Sequence, residues 1–231
     1  MVLSTFNGII SIMIIPKEII RSKRKSIALV VNSDGELIVR APYYASKDAI
    51  IGFIHEKQNW LERKCRAVKE ANSKFQPITM AEGDIVKFCG EDYTINLCAI
   101  DDIVLFGMYI KIPLACTREQ FKIWLKRKAL ALMKKRTTYY ATLMGALPCE
   151  VKVSEARTRW GSCSFRNNIN FSWRLVMCPL EVMDYVIVHE LCHIKNKSHN
   201  RAFWASVAEV LPDYGQQEKW LKNNRKLMDI L

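Results

Sequence analysis

The sequence predicts an α+β fold, and three observations carry that expectation. Short β-rich runs separated by turn residues fill much of residues 1–114. Apolar residues at helical spacing dominate residues 115–231. Three of the chain's four histidines fall within eleven residues of each other in that second part. The expected organisation is a β-hairpin and meander region with one long helix over 1–114, then a helix-rich domain over 115–231.

Residues 9–15 are apolar and read as a buried strand ended by Pro16. The run is too short to span a bilayer and lacks the flanks of a signal peptide. Ser26–Val31 and Glu36–Arg40 flank Asn32-Ser33-Asp34-Gly35, a hairpin signal. Ala41-Pro42 is expected to stop the second strand. From Ser46, a candidate cap, to Asn72, Ile50, Ile54, Trp60, Leu61 and Val68 recur at helical spacing. Ile85–Cys89 with Tyr93–Ala99, and Ile103–Phe106 with Tyr109–Ile112, read as two hairpins of a meander. Phe121, Trp124, Leu125, Leu132 and Met133 stripe a helix over 117–144, where Thr117 and Gln120 match a capping box. Val151–Ser154 and Ile169–Trp173 read as strands around a loop at Gly161. A helix comes after Pro179, another covers 200–211, and a last one starts at Tyr214 after Pro212-Asp213.

The histidine cluster gives the chemistry. His189-Glu190-Leu191-Cys192-His193 is H-E-x-x-H, a pattern that binds zinc and supplies a general base. Residues four apart share a helix face, so His189 and His193 can grip one ion. Glu190 lies about 100° round from His189 and reaches the same solvent without being a ligand. Asn196-Lys197-Ser198 must end the helix so that His199 can turn back, and asparagine tolerates the left-handed conformation that suits such an end. Three protein ligands leave a fourth position for solvent, as catalytic zinc requires. Glu190 would take the water's proton and hand it to the leaving amine. Other readings stay open. The third ligand could be an acid, Glu209, Asp213 or Glu218. Cys163 is the one tempting fourth ligand of a structural site, while Cys192 reads as a buried thiol and His55 as a surface residue. The ten-residue offset of His189 and His199 also matches metzincins, but Asn196 stands where their glycine is expected and no clear Met-turn comes after it.

Composition narrows the partners. The net charge is +12, from 35 basic and 23 acidic residues. Such a balance can attract nucleic acid. Runs at 21–25, 126–128 and 134–136 are the candidate surfaces, against the plainer reading of solvated faces. The eight cysteines form no C-x-x-C pair and, with no secretory signal, read as reduced thiols of a cytoplasmic protein.

Further phrases accompany the motif: Arg159-Trp160-Gly161-Ser162-Cys163-Ser164, Trp173-Arg174-Leu175, Asp184-Tyr185-Val186, Phe203-Trp204, Pro212-Asp213-Tyr214 and Trp220-Leu221. In this order they resemble the YgjP-like metallopeptidase family. Arg24-Lys25-Ser26, Val39-Arg40-Ala41-Pro42 and Trp60 extend the likeness toward the N-terminus. The resemblance implies a zincin-like C-terminal metallopeptidase domain, with SprT-like proteases as distant relatives, and a protein or peptide substrate. It makes His189, His193 and His199 the Zn2+ ligands and Glu190 the base. Three positions depart from the family's pattern. Asn167-Asn168 stands at a glycine turn, Ser172 replaces asparagine, and Asn200 replaces serine. Residues 157–173 are expected to form a sheet edge that holds substrate as an added strand, with Arg159 and Trp160 as candidate substrate contacts. The alternative is that both simply pack in the fold. Tyr185, one turn before His189, is expected in the core.

Overall fold

The computed structural model describes residues 14–32, 34–72 and 78–231. The chain divides into two compact units, Met1–Phe75 and Gln76–Leu231. The strand expected over residues 9–15 lies, but for its last two residues, outside the described residues.

Among the described residues, the first unit is a three-stranded sheet with two helices. Strands β1 (Glu18–Ser22), β2 (Ala28–Val31) and β3 (Leu37–Pro42) lie in the order β1-β3-β2. β2 and β3 make the expected hairpin. β3 runs on through Pro42 instead of stopping before it, because β1 pairs alongside in parallel and carries the strand to its end. Leu37, Val39 and Ala41, two apart and on one face, join Ile50, Ile54 and Leu61 in the core. The single long helix expected here is two, α1 (Lys47–Glu56) and α2 (Gln58–Asn72), broken at Lys57. Ser46 caps α1 by accepting the Ala49 N–H.

The second unit contains two sheets and four α-helices. β4 (Ile85–Phe88), β5 (Glu91–Cys98), β6 (Val104–Phe106) and β7 (Tyr109–Pro113) form both expected hairpins. The first turns on Cys89 and Gly90, both at positive φ, which matches strand twist as type I′ turns do. β5 then pairs with β7 in parallel, giving the order β4-β5-β7-β6 and placing β6 at the edge. The boundary expected after residue 114 falls inside this unit, because these strands pack against the helical part of the chain. The Cys89 N–H donates to the Val176 carbonyl at 2.7 Å, and Gly90 lies so close to Pro179 that an added Cβ would sit 2.8 Å from its Cα.

Helix α3 (Arg118–Met144) begins with the expected Thr117–Gln120 capping box and ends on Gly145 in the left-handed conformation. Its inner face carries Phe121, Trp124, Leu125, Ala129, Met133, Thr137, Tyr140 and Ala141. Strands β8 (Glu150–Ser154), β9 (Gly161–Cys163) and β10 (Asn168–Ser172) come next, in the order β8-β10-β9. Gly161, read as a loop from sequence, therefore starts an edge strand antiparallel to β10. A fully buried 3-10 turn, Trp173–Met177, leads to α4 (Leu180–Lys195). α5 (Arg201–Val210), α6 (Tyr214–Asn223) and a closing 3-10 turn, Arg225–Asp229, complete the unit.

α4 is buried on nearly every side, from Val182 through Val188 and again at Glu190–Cys192. One charged tie locks it to α3. Asp184, 7 % exposed, accepts from Arg136 through both oxygens and from the Tyr140 hydroxyl at 3.1 Å. A buried carboxylate is tolerated only when so paired. Tyr185 is buried as expected. No helix among the described residues is long and apolar enough to cross a membrane.

Candidate metal centre

His189 and His193 project from one face of α4, as their spacing requires. The helix ends at Asn196, which is extended (φ −125°) where a left-handed residue was expected. The reason lies in its carbonyl, which faces His193 Nδ1 at 3.0 Å. A carbonyl only accepts, so Nδ1 carries the proton and Nε2 keeps its lone pair. The chain then turns through Ser198 to His199. Asn200 starts α5 by accepting the Phe203 N–H at 2.9 Å, so asparagine performs the capping that serine would. This places His199 Nε2 at 2.9 Å from His189 Nε2.

The three imidazoles each offer one nitrogen, all within 4.8 Å of one another. Among the described residues this is the sole group of three or more such donors placed to share an ion. Glu209, Asp213, Glu218, Cys163 and Cys192 are not in it. Phe203, fully buried, is the floor, its ring 4.6–4.9 Å from all three imidazoles. Trp204 flanks His189 and His199 and stacks on Tyr214, which stacks on Tyr185.

Burial pushes His189 down to about 3, helped by repulsion from His193 and His199. Burial also lowers His193. Both rings are therefore neutral, the form a metal takes. His189 Nδ1 is buried without a hydrogen-bond partner, so the ring's strong polar interaction must come through Nε2. Three converging nitrogen donors fit a divalent metal ion.

Glu190 is 5 % exposed. Burial raises its carboxyl to about 7 against the pull of Arg159 and of the nearby Cys163 backbone N–H. It lies hard against Gly161, leaving room there for a hydrogen and nothing larger. From the sequence Gly161 reads only as part of a loop, whereas it is where the backbone comes up against the glutamate. Arg159 is exposed, and Trp160 is half-buried with its carbonyl accepting the Ser172 N–H at 2.8 Å. His55 is exposed in the first unit, and Cys192 is buried with its thiol pushed up to about 11 by desolvation. All eight cysteines are free.

Each basic run is engaged in part. Arg21 donates to the carbonyls of Pro42, Tyr43 and Ala45. Lys126 pairs with Glu155, Arg136 with Asp184, and Lys128 sits over Trp124. Nothing in these contacts favours a nucleic-acid surface.

A mixed α+β unit that presents three imidazoles and a buried glutamate from one helix and its following loop has the makings of a metallopeptidase. The chain belongs to the YgjP-like family: the model of the YgjP-like metallopeptidase domain matches residues 25–224. No curated protein matches. Among solved structures, the metallopeptidase zymogen of Pyrococcus abyssi abylysin is 21 % identical, covering 38 % of this chain and 90 % of that one with a TM-score of 0.37. That likeness is partial and adds nothing to the site.

Proposed function

We propose that the chain is a zinc-dependent peptidase in which His189, His193 and His199 hold the ion and Glu190 is the general base. The observation that carries this is the convergence of three imidazole nitrogens within 4.8 Å, beside a buried glutamate, in a chain of a metallopeptidase family. Zinc, when bound, activates water and polarises the scissile carbonyl.

The chain's own residues do the rest. Glu190, raised to about 7 by burial, is matched to taking a proton near neutrality and returning it to the leaving amine. Gly161 packs against its carboxylate and limits where it can sit. Phe203 and Trp204 wall the imidazoles and limit water on that side. β9 is an edge strand, and edge strands accept an extended peptide by backbone pairing. Arg159, exposed and close enough to act on Glu190, would meet the substrate carbonyl, with Trp160 beside it.

The test is a Glu190→Gln variant assayed with the wild type for zinc content and for cleavage of a peptide library. The expected result is one zinc per chain in both proteins, with cleavage only in the wild type. A wild type that holds no stoichiometric metal, or a variant that still cleaves, overturns the reading.

A further inference from the structure

We infer that Lys197 is a positioning residue that fixes the ligand loop against the hairpin that packs on the base, using Asn167 as its partner. The inference rests on the metal reading above and deepens it.

Lys197 lies between His193 and His199, on the exposed loop after α4. An exposed lysine is ordinarily a mobile point charge with three donors. Here the donors converge on a single turn. Nζ donates to Asn167 Oδ1 at 2.7 Å and to the Ser164 carbonyl at 3.2 Å, and it lies 4.0 Å from Cys163 Sγ. The turn is itself closed. The Asn167 N–H donates to the Ser164 carbonyl, and the Ser164 N–H to the Asn168 carbonyl. The strand leading into it, β9, lies hard against Glu190 at Gly161. One side chain therefore ties the loop that delivers His199 to the hairpin that packs on the glutamate.

Asn167 explains a departure from the family's pattern. Its φ is +58°, the left-handed region that glycine enters freely and asparagine tolerates. Glycine would satisfy that backbone and offer no oxygen. Asparagine keeps the turn and adds the acceptor that Lys197 uses at its shortest contact. Asn167 thus serves both the turn and the tether.

The test uses cobalt(II) as the probe, in the full-length wild type and in Lys197→Met, Asn167→Gly, the double variant and Lys197→Arg. Metal affinity and the visible spectrum of the bound cobalt are read together with thermal melting of the metal-free proteins. Lys197→Met is expected to weaken cobalt binding about tenfold or more, the range for residues that orient ligands, and to shift the spectrum. Melting should change little, since the side chain is exposed. Asn167→Gly should produce the same loss, the double variant no more than either single one, and Lys197→Arg part of the recovery. Wild-type affinity and spectrum in Lys197→Met, or losses that add in the double variant, overturn the inference. A wild type that binds no cobalt overturns the metal reading and the inference with it, and that result is read before any variant is made.

Discussion

Replacing Gly161 by alanine tests the site at its tightest point. The added methyl would lie 2.6 Å from Glu190 Oε1, 2.8 Å from Cγ and 3.0 Å from Cδ. Gly161 does not have a positive φ, so its backbone suits alanine and only the glutamate stands in the way. Ordinary contact begins near 3.4 Å, so the carboxylate or β9 must give by about 0.8 Å, close to the ~1 Å misplacement that can cost roughly a hundredfold in rate. A hundredfold loss corresponds to about 2.7 kcal/mol of barrier. The imidazoles are untouched, so metal content should stay at the wild-type value. The assay is kcat on a quenched peptide, with zinc content and melting temperature measured on the same preparation. A Gly161→Ala variant that is fully metallated and turns over like the wild type would refute the claim that this contact holds the base.

Three other outcomes are expected. Asp184→Ala leaves Arg136 and Tyr140 facing an empty acceptor between α3 and α4, and removing one partner of a buried pair should lower unfolding stability by about 3 kcal/mol; a loss under about 1 kcal/mol in urea unfolding would show that the tie is dispensable. Partial burial pushes Glu155 up, but bonds from Lys126, Trp173 and Lys122 and the attraction of Lys126 outweigh it and hold the carboxyl at about 2. Its folded value is below its free one, so it stabilises fully above about 4.5 and the contribution fades as pH falls toward 2; Glu155→Gln should flatten the melting-temperature curve in that window, and parallel curves would contradict it. His199→Ala should lose zinc on dialysis while Asp213→Asn and Glu218→Gln keep it; retention by His199→Ala would move the third ligand elsewhere.

Much of the fold, and the arrangement of the candidate site's helix, was readable because those signals are local. The i, i+4 histidines, the capping box at Thr117 and the Asp-Gly hairpin each depend on a few neighbouring residues, and each is found where the pattern puts it. What was missed depends on residues distant in sequence. Arg136 reads as part of a basic run, and only the packing of α3 on α4 brings it to Asp184, 48 positions away. Lys197 reads as a helix breaker's neighbour until the hairpin at Asn167 comes beneath it. Gly161 reads as a bend because nothing local says that Glu190 will fill the space. The parallel pairing of β5 with β7 escapes for the same reason, since two hairpins say nothing about which edges meet. The break at Lys57 is a different failure. No glycine or proline marks it, and the apolar spacing runs across it.

The enclosure of α4 bears on attempts to move this chemistry into another protein. A helix with an outward side can be transplanted by matching one inward stripe. This one meets neighbours almost all round, and its two histidines depend on a floor supplied by Phe203 and a strand starting at Gly161. A recipient given residues 180–199 alone would expose apolar surface and misaim the rings. The smallest portable cassette is the whole second unit, Gln76–Leu231, whose strands and closing 3-10 turn bring the surrounding shell along with the donors.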